Sequence, residues 1–211
     1  MFISFEGIEG SGKTTQISRV RDFLGRKGVS CVTTREPGGT EIGRRIRAIL
    51  LDPRSEELHP LAELLLYMAD RAQHLRQVVQ VNLEAGKTVL CDRYFDATLA
   101  YQGYARGLDM EMITRLHRQA LGNVKPDLTF LLDLSPEEGL ARAWRQIDGG
   151  DRAAGETRFE EEKVAFHQKV REGYLTLAEA EPARFAVVDA AMDVDRVGDA
   201  ICSVLTEKLG V

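Results

Sequence analysis

Residues 2–15 read FISFEGIEGSGKTT, a short apolar run followed by the glycine-rich stretch GIEGSGKTT over residues 7–15. The stretch satisfies G-x-x-x-x-G-K-[ST] completely, directly after a predicted strand and at the opening of a predicted helix, which is the context this motif needs. The glycines let the backbone N–H groups of Gly7, Ile8, Glu9, Gly10, Ser11 and Gly12 converge on phosphate oxygens at a helix N-terminus, where the dipole favours an anion. In that setting Lys13 reaches the β- and γ-phosphates of a nucleoside triphosphate, Thr14 holds Mg²⁺ through its hydroxyl, and Thr15 continues the loop into the helix. The competing reading is a glycine-rich turn that binds nothing. Phosphate binding alone does not separate kinases from GTPases, ATPases or inactive binding modules.

Outward from this loop, four more β-rich runs follow: VSCVTT (29–34), TVLCD (88–92), LTFLLDL (128–134) and RFAVVD (184–189). All are near-continuous apolar runs, which predicts strands buried on both faces of a parallel sheet. The stretches between them have helical periodicity. Residues 13–27 place Ile17, Val20 and Leu24 on one face and stop at Gly28. Residues 60–85 open on Pro60, turn Leu61, Leu64, Leu65, Met68, Leu75 and Val79 inward, and end at Gly86. Asp109 caps a helix carrying Ile113, Leu116 and Ala120 that closes at Gly122, and Ser135-Pro136-Glu137-Glu138 is a capping box. A last helix, about 193–209, turns Val194, Val197, Ile201 and Leu205 inward. Alternating βα units without linker or repeat predict one α/β domain over 1–211: a doubly wound five-stranded parallel sheet with helices on both faces. The polar segment 146–157, QIDGGDRAAGET, reads as a mobile lid or a surface loop.

The chain has 211 residues, 44% hydrophobic and 29% charged, which is a globular composition and excludes a disordered chain. A chain of this length buries roughly 70% of its unfolded surface. No window approaches 18 uncharged apolar residues and the start lacks a basic, apolar leader, so neither a membrane partner nor secretion is expected. A net charge of −5 argues against coating nucleic acid. That net conceals 21 arginines against 7 lysines. The surplus reflects either codon bias or phosphate chemistry, since arginine binds phosphates bidentately; position decides between them. Cys31, Cys91 and Cys202 are too scattered for a disulfide scaffold and predict reduced thiols in a cytoplasmic protein. His59, His74, His117 and His167 lack metal-ligand spacing and read as surface or half-buried helix residues.

The acceptor side of the chemistry lies elsewhere. The third strand ends in Asp92-Arg93-Tyr94, where a carboxylate beside the loop can bind Mg²⁺ through water and the arginine can grip a second phosphate. The alternative is a turn cap and a surface arginine. The second strand ends in Thr34-Arg35-Glu36-Pro37-Gly38-Gly39-Thr40, another glycine-rich loop at the same sheet edge.

Taken with the loop, TREPGGT, LLYMADRAQH (65–74), DRYFDATLAYQGYARGLD (92–109) and PDLTFLLDL (126–134) make the sequence resemble the bacterial thymidylate kinases, of the P-loop nucleoside monophosphate kinase group. No N-K-x-D guanine-reading segment occurs. The resemblance implies transfer of the ATP γ-phosphoryl group to dTMP, with Mg²⁺ as cofactor and a homodimer as the assembly. It also implies roles for individual residues. Glu9 lies near the deoxyribose and acceptor phosphate, while Arg35, Arg47 and Arg93 hold that phosphate. Arg71 bonds the thymine, with Tyr67 stacked on it in place of the family's usual Phe. Tyr101 crowds the sugar 2′ position, and Gln102 contacts the base region. Ala97 replaces a small polar residue, for which Thr98 can supply the hydroxyl. The lid, about 140–160, supplies arginines: Arg142 on the ATP side, Arg145, Arg152 and Arg158, with Arg152 and Arg158 ranked first for catalysis. Thr157 stands where the family commonly has Asp, which affects the lid's anchoring bond. Residues 189–193 are an adenine-side candidate.

Overall fold

The structure is a computed structural model describing residues 1–150 and 155–210. Its five strands are β1 (Phe2–Glu6), β2 (Cys31–Arg35), β3 (Thr88–Asp92), β4 (Leu128–Asp133) and β5 (Phe185–Asp189). They form one sheet, all parallel, in the order β2-β3-β1-β4-β5. The three central strands are buried throughout or nearly so. The edge strands β2 and β5 are only half covered, with Val187 51% exposed, because an edge has a neighbour on one side only. The expectation of strands buried on both faces therefore holds for the middle of the sheet alone.

Alternation along β1 sends Ile3 and Phe5 to one face and Phe2, Ser4 and Glu6 to the other. On the first face lie α1 (Lys13–Arg26) and α9 (Val194–Leu209), packed together through Ile17, Val20, Leu24, Val197, Ile201 and Leu205. On the second lie the rod from residue 60 to 84, α6 (Met110–Leu121) and α8 (Val164–Ala180). Chain order reverses at β1, so the crevice at its C-terminal end is where a doubly wound sheet takes a ligand.

The predicted helix 60–85 is α3 (Pro60–His74), a π-helical stretch (Leu75–Val79) and α4 (Gln80–Glu84). Leu64, Met68, Leu75 and Val79 are buried as expected, but Leu61 and Leu65 are 40% and 50% exposed. Ala120 and Val194 also face outward, since the neighbouring element meets a different stripe of each helix. Asp109 and Ser135 cap α6 and α7 (Pro136–Asp148), accepting from Met112 N and Glu138 N. The structure adds α2 (Glu41–Leu50), α8 and a short α5 (Phe95–Thr98) that continues into a π-helical turn, Leu99–Ala105. The first part of the predicted lid is thus helical, the last turns of α7, and residues 155–163 lead from it into α8. His74, His117 and His167 are interior rather than surface residues. His117 stacks on Phe95 at 3.7 Å, and burial pulls its pKa down to about 4, so it is held as a neutral ring at ordinary pH. All three cysteines are free thiols, and no described helix is long and apolar enough to cross a membrane.

Candidate active site

At the end of β1 the loop 7–12 takes backbone shapes that only glycine adopts freely: φ is 135° at Gly7, 70° at Gly10 and 91° at Gly12. Space is equally restrictive, since a Cβ on Gly7 would stand 2.5 Å from Leu132 O and one on Gly10 would overlap Gly139 O. No side chain caps α1, so its first-turn amides face the cleft. Lys13 Nζ donates to Gly7 O (3.0 Å), Ile8 O (2.8 Å) and Ser11 Oγ (3.2 Å), which sets the ammonium at the mouth of the loop. Burial pulls its pKa down to about 8, and Arg93 adds to the pull while Asp92 and Glu9 oppose it. Ile8 is a core side chain and can offer only its backbone.

The cleft beyond the loop encloses about 690 Å³. Lining it are Glu9, Lys13, Thr14 and Thr15 from the loop and α1, Arg35 and Arg47 from the β2–α2 region, and Tyr67 and Arg71 from α3. Asp92, Arg93, Thr98, Tyr101 and Gln102 complete it from β3 and the helix after it. Residues spread over ninety positions thus meet at one sheet edge, as the sequence reading anticipated. Thr14 Oγ1 donates to Asp92 Oδ2 at 3.2 Å. A hydroxyl and a carboxylate, both hard oxygen donors, suit Mg²⁺.

Arg93 has φ 68°, the only described non-glycine residue in left-handed backbone, and such strain persists where surrounding structure over-determines it. Its Nη2 donates to Glu9 Oε1 (2.8 Å), its Nη1 to Tyr174 Oη (3.1 Å), and its guanidinium lies 4.9 Å from the Tyr101 ring centre. Tyr101 Oη donates to the same Glu9 oxygen at 2.6 Å. Burial alone would push the Glu9 carboxyl up, but Arg93 and His167 hold it well below the usual carboxylate range. Tyr101 and Gln102 stand on the π-helical turn, whose extra residue per turn aims both at the cleft.

Arg71 is fully buried, with Nε on Glu36 Oε2 (2.7 Å), Nη1 on Thr98 Oγ1 (2.9 Å) and Nη2 on Tyr94 O (3.1 Å). Nη1 also donates to Met68 Sδ at 3.9 Å, so four of the five guanidinium N–H donors are committed and one on Nη2 is left for a ligand. Thr98 stands beside it, and both it and Ala97 line the cleft. Glu36 also accepts from His74 Nδ1 at 2.7 Å. Arg47 donates to Glu156 (2.7 Å from Nη2) and to Pro37 O.

The lid arginines are placed differently. Arg152 lies outside the described residues. Arg158, ranked beside it for catalysis, does not line the cleft. It is buried, with Nη2 on Glu63 Oε2 (2.6 Å), Nη1 on Leu50 O and Nε on Ser55 O, an anchoring rather than a phosphate-facing arrangement. Its partner, Glu63, has no exposure at all and also accepts from Gln102 at 2.8 Å and Arg106 at 3.4 Å, so removing Glu63 would strand the buried Arg158 charge. Thr157 Oγ1 donates to Glu161 at 2.6 Å, an anchoring bond of its own. Arg145 lies against its own helix at Ala141 O, and Arg142 donates to Ala190 O (3.0 Å), which joins it to the 189–193 segment.

Several buried polar residues had no sequence signal beyond their charge. Glu6, in FISFE, accepts from Tyr94 N (2.7 Å) and Tyr174 Oη (2.8 Å), and burial raises it to about 8. A charged residue within an apolar strand was the one available clue. Glu36, Glu63 and His167 could not be separated from ordinary surface residues by spacing.

The sequence profile of the family described as Thymidylate kinase matches residues 5–201. The chain belongs to the thymidylate kinase family. It is 57% identical over 190 residues to the thymidylate kinase of Desulfosudis oleivorans, covering 90% of this chain and 89% of that one. It is 53% identical over 211 residues to that of Desulforapulum autotrophicum, covering 100% and 93%. Among solved structures, the thymidylate kinase from Ehrlichia chaffeensis superposes with a TM-score of 0.77 at 34% identity, over 98% of each chain. This thymidylate kinase-family chain therefore shares both sequence and fold with its relatives over nearly its full length.

Proposed function

We propose that the cleft transfers the ATP γ-phosphoryl group to dTMP, giving dTDP and ADP. The observation that carries this is the meeting of the Lys13 loop with Arg93, Glu9, Tyr101, Arg35, Arg47 and Arg71 in the lining of a single cleft. Phosphoryl transfer passes through a loose, charge-spread transition state, so positioned cations do most of the work and no general base is required. Lys13 and the loop amides hold the donor phosphates. Arg93, fixed by Glu9 and Tyr174, and Arg35 hold the acceptor phosphate. Arg47 joins them by exchanging its Glu156 contact for the ligand. Thr14 and Asp92 would hold Mg²⁺, which when bound neutralises phosphate charge. Arg71 and Thr98 face the base, with Tyr67 stacked on it and Gln102 held at its edge by Glu63. Tyr101, fixed by Glu9, closes the space a 2′-hydroxyl would need. Arg142 and residues 189–193 form the adenine side, and Arg152 is the lid arginine closest in sequence to the role of charge neutralisation. We assign Arg158 to anchoring the lid.

The contrasting reading is a module that binds ATP without transfer. Incubating the protein with dTMP, Mg²⁺ and γ-³²P-labelled ATP should place the label in dTDP. Label retained in ATP, or released only as inorganic phosphate, would favour the contrasting reading.

We further propose a homodimer, resident in the cytoplasm with its three thiols reduced. Leu61 and Leu65, one turn apart on α3, are 40% and 50% exposed and present an apolar face that the chain itself leaves uncovered. Sedimentation at micromolar concentration should give twice the 23.5 kDa chain mass, and a monomer would refute the assembly.

A further inference from the structure

His167, on the first turn of α8, is completely buried behind Glu9. Its Nε2 lies 2.9 Å from Phe159 O, and a carbonyl can only accept, so Nε2 carries a proton. Its Nδ1 lies 3.1 Å from Glu9 Oε2. The contact is bent away from hydrogen-bond geometry, and neither atom has another hydrogen-bond partner. A neutral ring with its proton on Nε2 would aim the Nδ1 lone pair at a carboxylate oxygen in a buried site, which is repulsive. A second proton on Nδ1 turns the same contact into an ion pair.

We propose that His167 is a positioning residue: as an imidazolium it fixes the Glu9 carboxylate at the acceptor side of the cleft and ties the lid's return segment, through Phe159, to the phosphate-binding loop. The two oxygens of Glu9 then have separate tasks. Oε1 takes Arg93 and Tyr101, and Oε2 takes His167. The charged groups facing the ring are Glu9 from the loop and Glu160 from the lid return. Both favour the charged ring, and they outweigh the burial that opposes it, so the His167 pKa is raised. Arg93 and Lys13 act on the ring indirectly, through the charge they share with Glu9. The Phe166 ring lies nearly perpendicular to the imidazole, with centroids 5.5 Å apart.

The proposal rests on the reading of Glu9 as a dTMP-side residue, and its test separates the two. In full-length protein labelled with ¹⁵N-histidine, the His167 resonances should show protons on both ring nitrogens at pH 7. In the Glu9→Gln variant the same ring should be neutral at that pH, because the largest opposition to burial is gone and only Glu160 and the Phe159 carbonyl still favour the charged form. A ring neutral at pH 7 in the parent, or unchanged in Glu9→Gln, would overturn the ion pair. In activity, His167→Ala should raise KM for dTMP about tenfold, the scale of a lost charge-assisted hydrogen bond, with KM for ATP nearly constant. The same substitution added to Glu9→Gln should weaken dTMP binding no further. An equal loss in both backgrounds would mean His167 acts only on the fold. Should Glu9→Gln leave dTMP binding unchanged beside a doubly protonated ring, the dTMP-side role of Glu9 fails, while the ion pair stands.

Discussion

Lys13→Ala should lower kcat by about 10³-fold while leaving the melting temperature at or near that of the parent. The two halves of this expectation have separate causes. Lys13 is the cation at the mouth of the loop, and charge developing on the transferred group finds no other loop side chain to meet it. Its burial, however, opposes its charge: the pKa falls from 10.5 to about 8. A lysine lowered on folding leaves the folded state with fewer protons than the unfolded chain between those values, so stability rises with pH across that window and is penalised below it. At pH 7 the penalty is about 3 kcal/mol, at 1.36 kcal/mol per unit. Removing the ammonium relieves that term, although three acceptors on the loop lose a donor. Steady-state kinetics and a thermal melt on one preparation check both halves. Near-parental turnover would remove Lys13 from the chemistry, whereas an unfolded variant would contradict the energetic reading.

Arg71→Met should have the opposite profile, a loss of stability of about 3–5 kcal/mol, because a buried charge loses its partner. Glu36 is 3% exposed and accepts from Arg71 and His74 alone among the described side chains. Thr98 and the Tyr94 carbonyl lose a donor in the same step. In a domain of this size each kcal/mol moves the melting temperature by about 2–4 °C, so the shift is large enough for any thermal assay. Adding Glu36→Gln should recover part of the loss by removing the stranded charge. A double variant no better than Arg71→Met would show that the guanidinium acts by packing rather than by pairing. Weak dTMP binding in the recovered double variant is expected as well, since the free Nη2 N–H donor of Arg71 is gone.

What could be read in the sequence follows from the range of the interactions involved. The loop 7–15 is local: its glycines, lysine and threonine are contiguous, and the strand before them is a plain apolar run. Its geometry needed no partner from elsewhere. Strand positions were legible for the same reason, and TVLCD has the observed bounds of β3. Helix faces were less so. Leu61 and Leu65 share the apolar periodicity of Leu64 and Met68, but only packing decides which stripe meets the sheet. Here the first pair faces out. Arg158 shows the limit most clearly. Its neighbours suggested a phosphate-seeking lid residue, while its actual partner, Glu63, is 95 positions away and carries no mark in the sequence that it is buried. His167 and Glu36 are of the same kind. Their meaning lies in pairings across the fold, and an acidic or imidazole side chain alone does not announce one. The arginine surplus resolves in a similar way. Arg35, Arg47, Arg71 and Arg93 gather at one cleft in an acidic chain, while Arg184 sits away from it, paired with Asp96 and Glu181.

The acceptor preference tests the central claim most directly, because Tyr67, Arg71, Thr98, Tyr101 and Gln102 are all assigned to one nucleotide. ADP release measured with saturating ATP and Mg²⁺ across dTMP, dUMP, UMP, CMP and AMP should give by far the highest kcat/KM for dTMP, with UMP, which carries a 2′-hydroxyl, well below dUMP. A protein that phosphorylates CMP, UMP or AMP as well as dTMP, or none of the five, would contradict the assignment of this cleft.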